Sequence, residues 1–310
     1  METEFLHEFK TEAAVTDHFD TEEKCIAYLE ELRWMNGVVS PYDPESKVYK
    51  GKNHIYYCKN SNRSFNVRTG TLFDSSNIKL RKWFVAIWLV TSHKKGISSY
   101  QLARDIHVTQ KTAWFMLQRI RNCYGMENEG ELNGEVEVDE TYVGGKNKNR
   151  HASKKVKSSR GRSVKDKAPV LGMVERNGKL VAKTVENTSA REITPEIVKR
   201  VKDAILYTDE WLGYNTVDKM YDHFIVKHKN GEYVNGKAYT NTIEGFWSLL
   251  KRGIFGIYHF TSKKHLQRYV DEFVFRYNLR GMSDGNRFNL FLCKSEYRIT
   301  YKELVYEQTA

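Results

Sequence analysis

The sequence predicts a mixed α/β fold: a five-stranded mixed sheet with flanking helices, preceded by a small β unit and a helix-turn-helix domain. Three observations predict it. Strand-like runs cluster from residue 134 onward and then alternate with helical periods up to Arg280. Residues 36–75 are short, aromatic and rich in turn residues. Residues 78–124 read as helical, with a continuous apolar face from Leu80 to Ser92.

Residues 1–35 form a helical segment in this reading. Thr21 caps a helix with Glu22 and Glu23 in its first turn and an apolar face behind them. Residues 36–76 form the small β unit. Tyr49 to Cys58 reads as a hairpin, and Ser64 to Arg68 alternates like a further strand. Such units are often stapled by zinc, which needs four ligands. Here Ser40, Asp43 and Ser61 stand where partner cysteines belong, and only Cys58 is a thiol. Zinc is therefore not expected.

Residues 77–125 read as a helix-turn-helix domain. Leu80 to Ser92 is one helix. Ser98 caps a short second helix buried through Leu102, Ala103 and Ile106. His107-Val108-Thr109 makes the turn. The next helix starts at Thr109 or Gln110 and is buried through Ala113, Met116, Leu117 and Ile120. Its N-terminus would present Gln110, Lys111 and Thr112 to a DNA groove.

Residues 126–133 read as a linker, and 134–285 as the main domain. Its first strand holds Val136 to Val143. Pro169–Val174 and Leu180–Val185 follow, with Asn177-Gly178 as a tight turn between them. Ala190 to Val201 is a helix, Ala204 to Thr208 a buried strand, and Trp211 to Tyr221 mostly helical. Phe224 to Lys227 is the fifth strand. Two helices close the domain, one from Thr240 to Gly253 and one from Lys263 to Arg280. The order is βββαβαβα. Residues 286–310 are left as a C-terminal tail.

Composition narrows the partners. The chain has 310 residues, 40% hydrophobic, enough for a sizeable core in two or three domains. Its net charge is +11 and its isoelectric point about 9.2, which calls for a polyanionic partner, nucleic acid first. The insertion 146–167 concentrates this charge. Lys146, Lys148, Arg150, Lys154, Lys155, Lys157, Arg160, Arg162, Lys165 and Lys167 face a single acid, Asp166. Such a loop suits a phosphate backbone, which relieves the repulsion among like charges. The N-terminus is acidic where a secretion signal would be basic. The longest apolar run, Trp83 to Val90, is too short to span a bilayer. No membrane association is expected, and the cytoplasm is the expected location. The four cysteines are scattered, so a disulfide framework is not expected.

Three acids carry the chemistry. Asp139 and Asp209 fall at the ends of predicted strands, and Glu244 in the first turn of the helix at 240–253. Strand, strand and helix, each delivering one carboxylate, is how a fold gathers a divalent metal site. Asn241-x-x-Glu244 also has capping-box spacing, so Glu244 has a structural alternative. Lys251 follows Glu244 by two turns and shares its face. Glu137, Glu140 and Glu210 are rivals for the acid roles. By strand period Glu137 shares the face of Asp139, and Glu140 is the less credible neighbour.

These residues resemble a known family. The βββαβαβα order with its three acids is similar to the RNase H-like core of DDE transposases, most closely an ISXO2-like group of bacterial insertion-sequence enzymes. The likeness is carried by Val136-Glu137-Val138-Asp139-Glu140-Thr141-Tyr142-Val143-Gly144-Gly145, by Tyr207-Thr208-Asp209-Glu210, and by Thr240 through Gly253. His265 to Arg280, Phe65 to Thr71 and the 96–121 segment also fit, so it covers most of residues 35–285. The group joins a zinc-ribbon-like unit to a helix-turn-helix upstream of the core. This chain departs in keeping only Cys58 of the ribbon cysteines. Some members carry Asn at the third acidic position, where this chain has Glu244.

The resemblance implies a transposase that binds the terminal repeats of its element and cuts and joins DNA with two Mg²⁺ or Mn²⁺ ions. Its partners would be double-stranded DNA, at transposon ends and target, and further copies of itself, in a bacterial cytoplasm at the nucleoid. Asp139 would bridge the ions, with Asp209 and Glu244 each holding one. Water as nucleophile gives nicking and a 3′-OH gives joining, so no covalent protein–DNA intermediate is needed. Lys251 and Arg252 would hold phosphates. His228, after the fifth strand, matches a histidine in the family pattern, and both a site role and a surface role are open to it. Two other classes compete: a helix-turn-helix regulator that lost catalysis, and a structure-specific nuclease on the same fold. The three intact acids oppose the first, and the end-reading helices oppose the second.

Overall fold

The computed structural model describes residues 7–145, 151–157, 163–226 and 239–306. It divides into two compact units, residues 1–123 with 281–310, and residues 124–280. Among the described residues no helix is long and apolar enough to cross a membrane.

In the first unit, helices α1 (Glu12–His18) and α2 (Glu22–Arg33) start at Thr11 and Thr21, whose hydroxyls accept from backbone amides as caps do. Strands β1 (Val48–Lys50), β2 (Tyr56–Cys58) and β3 (Arg63–Phe65) form a small antiparallel sheet. Aromatic rings hold it: Tyr56 stacks on Phe65 at 5.7 Å, and Trp34 meets Tyr56 edge-on at 4.9 Å. Cys58 is buried, and the hydroxyls of Ser40, Ser46 and Ser61 converge on it. Burial opposes ionisation of this thiol, but the three hydroxyls outweigh it and hold the pKa below the ordinary range. Ser46, and not Asp43, completes that ring. The Asp43 carboxylate instead accepts from Asn60 and from the amide of Glu45.

Helix α3 (Leu80–Ser92) has the extent its apolar period predicts. Helix α4 (Ser99–Asp105) is capped by Ser98, and α5 (Gln110–Tyr124) begins after Thr109, whose hydroxyl accepts from the Thr112 amide. Buried Arg119 on α5 donates to the carbonyls of Leu72, Asp74 and Ile299. The last segment is more than a tail: a later helix at Asp284–Cys293 packs against α3 and donates from Arg287 to the Thr91 carbonyl.

The second unit starts earlier than the expected linker allows. Asn128 is buried and its amide bonds both the N–H and the carbonyl of Ala182. Strand β4 (Leu132–Val143) is the central strand. It pairs antiparallel with β5 (Ala168–Glu175), which pairs antiparallel with β6 (Leu180–Thr184). Helix α6 (Ala190–Arg200) then leads to β7 (Val201–Asp209), parallel to β4, and β8 (Asp222–Val226) is parallel to β7. The order across the sheet is β6-β5-β4-β7-β8. This mixed five-stranded sheet is the one expected, with the polarity of an RNase H-like core.

The segment from Trp211 to Tyr221 departs from its expectation. It holds two short 3₁₀ turns, Leu212–Tyr214 and Val217–Lys219, and no α-helix. Its inward residues, Trp211, Tyr214 and Val217, recur every three positions, which is the 3₁₀ repeat and not the α repeat.

Helices α7 (Asn241–Gly253) and α8 (Leu266–Asn278) cover one face of the sheet, where Val170, Val174 and Leu180 meet Ile243, Trp247 and Phe273. Helix α6 covers the other, where Leu171 and Met173 meet Ile193 and Ile197. Alternate residues of β5 thus serve opposite layers. The final helices are α9 (Asp284–Cys293) and α10 (Tyr301–Tyr306).

Candidate active site

The parallel pairing of β4 with β7 runs as far as Glu137 opposite Tyr207. Two residues further along each strand come Asp139 and Asp209. Strand β7 ends there, so the edge of β4 beyond it lies open. A cleft of about 430 Å³ occupies this place, lined by Asp139, Glu140, Thr141, Asp209, Thr240, Glu244, Trp247, Ser248 and Lys251. All three sequence-selected acids line it, and so does Lys251.

Helix α7 brings Glu244, Trp247, Ser248 and Lys251 to the cleft at spacings of three, four and seven residues, which is one helical face. Its pose depends on a glycine. Gly172 on β5 pairs with Asp139, and a Cβ there would stand 2.5 Å from the Trp247 ring and 2.8 Å from Ile243. Lacking one, the strand lets the indole lie on the sheet and donate from Nε1 to Oδ2 of Asp139 at 2.9 Å. Gly172→Ala should push the ring away, break that bond and destabilise the fold by about 1–3 kcal/mol, as overpacking does. Thermal melting checks this, and a variant that melts like wild type with an unchanged Trp environment contradicts it.

The capping-box alternative for Glu244 gives way to another acid. Glu137 is fully buried, and its carboxylate accepts from the amides of Thr242 and Ile243 at 2.9 and 3.1 Å and from the Thr242 hydroxyl at 2.9 Å. It therefore does the capping work at the start of α7 from a neighbouring strand. Arg176 backs it, donating from Nε to Glu137 at 3.0 Å while its guanidinium lies between the rings of Tyr207 and Tyr239. The Glu244 carboxylate instead faces the Thr240 hydroxyl at 3.5 Å on the cleft wall.

Glu140, and not Glu137, is the further acid on the cleft. Three consecutive residues of β4 reach the cleft because it opens along the unpaired strand edge, where face alternation does not sort them. Glu140 accepts from the buried Tyr214 hydroxyl at 2.8 Å. Asp209 turns one oxygen to its own backbone, accepting from the Trp211 amide at 2.9 Å.

The electrostatics are those of a site short of positive charge. Burial first, then the Asp209 carboxylate and more weakly Glu244, push the Asp139 carboxyl up to about 6, against the bonds from the Glu140 amide and Trp247. Burial lowers the Lys251 ammonium, Lys167 adds to that, and Asp139 opposes it.

The family model described as an ISXO2-like transposase domain matches residues 131–278. An uncharacterised protein in the transposable element ISH50 of Halobacterium salinarum is 31% identical over 272 residues, which is 83% of this chain and 91% of that protein. The chain belongs to the insertion-sequence transposases, with an ISXO2-like transposase domain at 131–278. A transposase-like protein of Haemophilus influenzae is 29% identical over 102 residues, covering 32% of this chain and 81% of its own. A solved structure titled as the Mos1 strand transfer complex aligns over 70% of this chain and 78% of that one, at 12% identity and a TM-score of 0.28, too low to establish a shared fold.

Other selected residues of the transposase fall elsewhere. Arg252 is exposed and its Nε returns to the Ser248 carbonyl at 3.0 Å, away from the cleft lining. Gln110 donates to the Ser99 hydroxyl at 2.8 Å, Lys111 stands 5.5 Å from the Tyr301 ring centre, and the Thr112 hydroxyl bonds that of Thr109. Lys155 and Lys157 are exposed. The Lys154 side chain, Arg160, Arg162 and His228 lie outside the described residues. Trp247 and Ser248 are not among the residues selected from the sequence, and Glu137, weighed there only as a rival acid, turns out to cap α7. Trp247 and Ser248 had a legible signal, because they sit three and four residues from Glu244.

Proposed function

We propose that this transposase binds the ends of its element and performs metal-dependent strand cleavage and strand transfer, with Asp139, Asp209 and Glu244 as metal ligands. One observation carries the reading: three acids from β4, β7 and α7 line one cleft, where burial and then the other two carboxylates raise the pKa of Asp139. Among the described residues no three His, Cys, Asp or Glu side chains stand already gathered at ligand spacing. The donor set is all carboxylate oxygen, which is what Mg²⁺ and Mn²⁺ prefer and what zinc does not require.

Asp139, Asp209 and Glu244 would together hold the divalent ions from the cleft wall. When bound, such ions activate the attacking oxygen and stabilise the leaving one. The protein groups do the positioning. Trp247 fixes one oxygen of Asp139. Glu137 and Arg176 set the start of α7, and hence the height of Glu244. Lys251 offers a cation to a phosphate beside the acids. The hydroxyl-ringed Cys58 takes no zinc in this reading, and the functional unit on DNA is a homo-oligomer.

Helices α4 and α5 are assigned to sequence reading in a major groove, through Gln110, Lys111 and Thr112. The basic loop 146–167, with Lys251 and Arg252, is assigned to phosphates, which position DNA without reading it. Replacing Lys111 or Gln110 should cost the cognate end roughly 1–3 kcal/mol relative to random duplex. Neutralising Lys154, Lys155, Lys157, Arg160 and Arg162 together should weaken both duplexes alike and flatten the salt dependence. Binding to both duplexes across a salt series separates the roles. Loss of preference in the loop variant, with only salt dependence lost in Lys111→Ala, would reverse the assignment.

A further inference from the structure

Asp209 is the last residue of β7, and the pairing with β8 ends at it, opposite Val226. Two bonds hold it there. Its carboxylate accepts from the Trp211 amide at 2.9 Å, and its carbonyl accepts from the Thr208 hydroxyl at 2.9 Å. Thr208 is fully buried. By period two it shares the β7 face of Leu206, which packs in the layer of Ile193, Tyr214 and Val217.

The same hydroxyl lies 2.7 Å from Nε2 of His223. His223 stands opposite Leu206 in β8, so its ring reaches forward along the sheet to Thr208. Its Nδ1 meets the carboxylate of Asp218, which the 3₁₀ turn Val217–Lys219 carries. The His223 side chain is 2% exposed, while that of Asp218 is 54% exposed.

The protons of this chain of groups have one arrangement. The Asp209 carbonyl only accepts, so Thr208 gives it the one hydroxyl proton, and the hydroxyl oxygen is left to accept from Nε2. A carboxylate only accepts, so Nδ1 donates to Asp218. Asp218 thus fixes the ring, the ring fixes the hydroxyl, and the hydroxyl fixes the backbone of Asp209. Thr208 is too buried to meet a substrate, so these three side chains are no nucleophilic site of their own.

We infer that His223 is a positioning residue for metal binding: seated by Asp218, it holds Thr208 so that the end of β7 presents Asp209 to the cleft. This rests on the reading of Asp209 as a metal ligand. Groups one step behind a ligand are worth roughly 10–100-fold in metal affinity. Here the link passes through a backbone carbonyl, so the low end applies.

The test is calorimetric titration of Mn²⁺ into the full-length protein bound to duplex taken from the DNA flanking its gene. Thr208→Val removes the hydroxyl and keeps the branched shape. It should bind Mn²⁺ roughly 10-fold more weakly, whereas Thr208→Ser should keep wild-type affinity. His223→Leu should match Thr208→Val, and His223→Gln, whose amide still donates toward Thr208, should stay near wild type. The double variant Thr208→Val/His223→Leu separates positioning from stability. Thr208→Val alone leaves a buried ring nitrogen unpaired and should lower the melting temperature, and removing both partners should return much of it. The loss of Mn²⁺ affinity, about 10-fold, should remain in the double variant. Affinity that recovers together with melting overturns the assignment, as do single variants that bind Mn²⁺ like wild type. Asp209→Asn tells the two readings apart. If it also binds Mn²⁺ like wild type, Asp209 is no ligand and both readings fall. A loss in Asp209→Asn alone removes only the role of His223.

Discussion

Replacing Asp139 with alanine should abolish cleavage of end DNA in Mg²⁺ while leaving binding of the same duplex intact. The expected loss exceeds the roughly 10–100-fold that groups one step behind a metal cost when removed. Asp209→Ala and Glu244→Ala should behave alike, because each acid comes from a different element and none can cover for another. Binding should survive because the helices assigned to groove reading belong to a different compact unit from the cleft. Glu140→Gln is the informative neighbour. Its carboxylate already accepts from Tyr214, so its loss should slow the reaction less than loss of the three. If Asp209→Ala or Glu244→Ala cuts at near wild-type rate, that residue is no ligand, and Glu140 becomes the replacement to test.

The largest expected effect on stability belongs to Glu137, which does no chemistry in this account. Glu137→Ala removes the acceptor for two amides and a hydroxyl at the start of α7 and leaves the Arg176 guanidinium buried beside the gap. Breaking a buried pair from one side costs about 3–5 kcal/mol. Arg176 keeps Glu135, the Tyr239 carbonyl and two ring faces, so the low end applies. A cost near 3 kcal/mol corresponds to a fall in melting temperature of roughly 6–12 °C for a unit of this size. Cleavage should fall with it even well below the melting point, because Glu244 and Lys251 ride on the helix that Glu137 seats. Glu137→Ala with wild-type melting and cleavage would show that α7 is held by its apolar face alone.

The contrast between Glu137 and Glu244 shows what a sequence carries. Asp209 was legible because it ends an apolar strand and Glu244 because it opens a strongly amphipathic helix, whereas Asp139, expected at a strand end, lies inside β4 and was legible from its apolar neighbours. The sheet order followed from the same runs. The cap on α7 was not legible. Its acceptor lies 105 residues upstream of Thr242, and local spacing pointed to Glu244 instead. Nor does period two foresee that Glu140 reaches the cleft, since the strand edge is exposed only because β7 stops at Asp209. The Trp211–Tyr221 segment misled through spacing: Trp211, Tyr214 and Val217 face inward at intervals of three, which short 3₁₀ turns share with an α-helix. Gly172 was silent, because a glycine inside a strand gives no hint of which ring will rest on it. Ser46 completes the ring at Cys58 through the way the chain folds around β2, while Ser40 and Ser61 were legible from ribbon spacing.

The central claim is that Asp139, Asp209 and Glu244 hold the divalent ions that cut DNA. Calorimetric titration of Mn²⁺ into the full-length protein bound to end duplex tests it most directly. Wild type should take up two ions per chain, Asp139→Asn neither, and Asp209→Asn and Glu244→Gln one each. An Asp139→Asn protein that binds Mn²⁺ with wild-type stoichiometry and affinity would contradict the account.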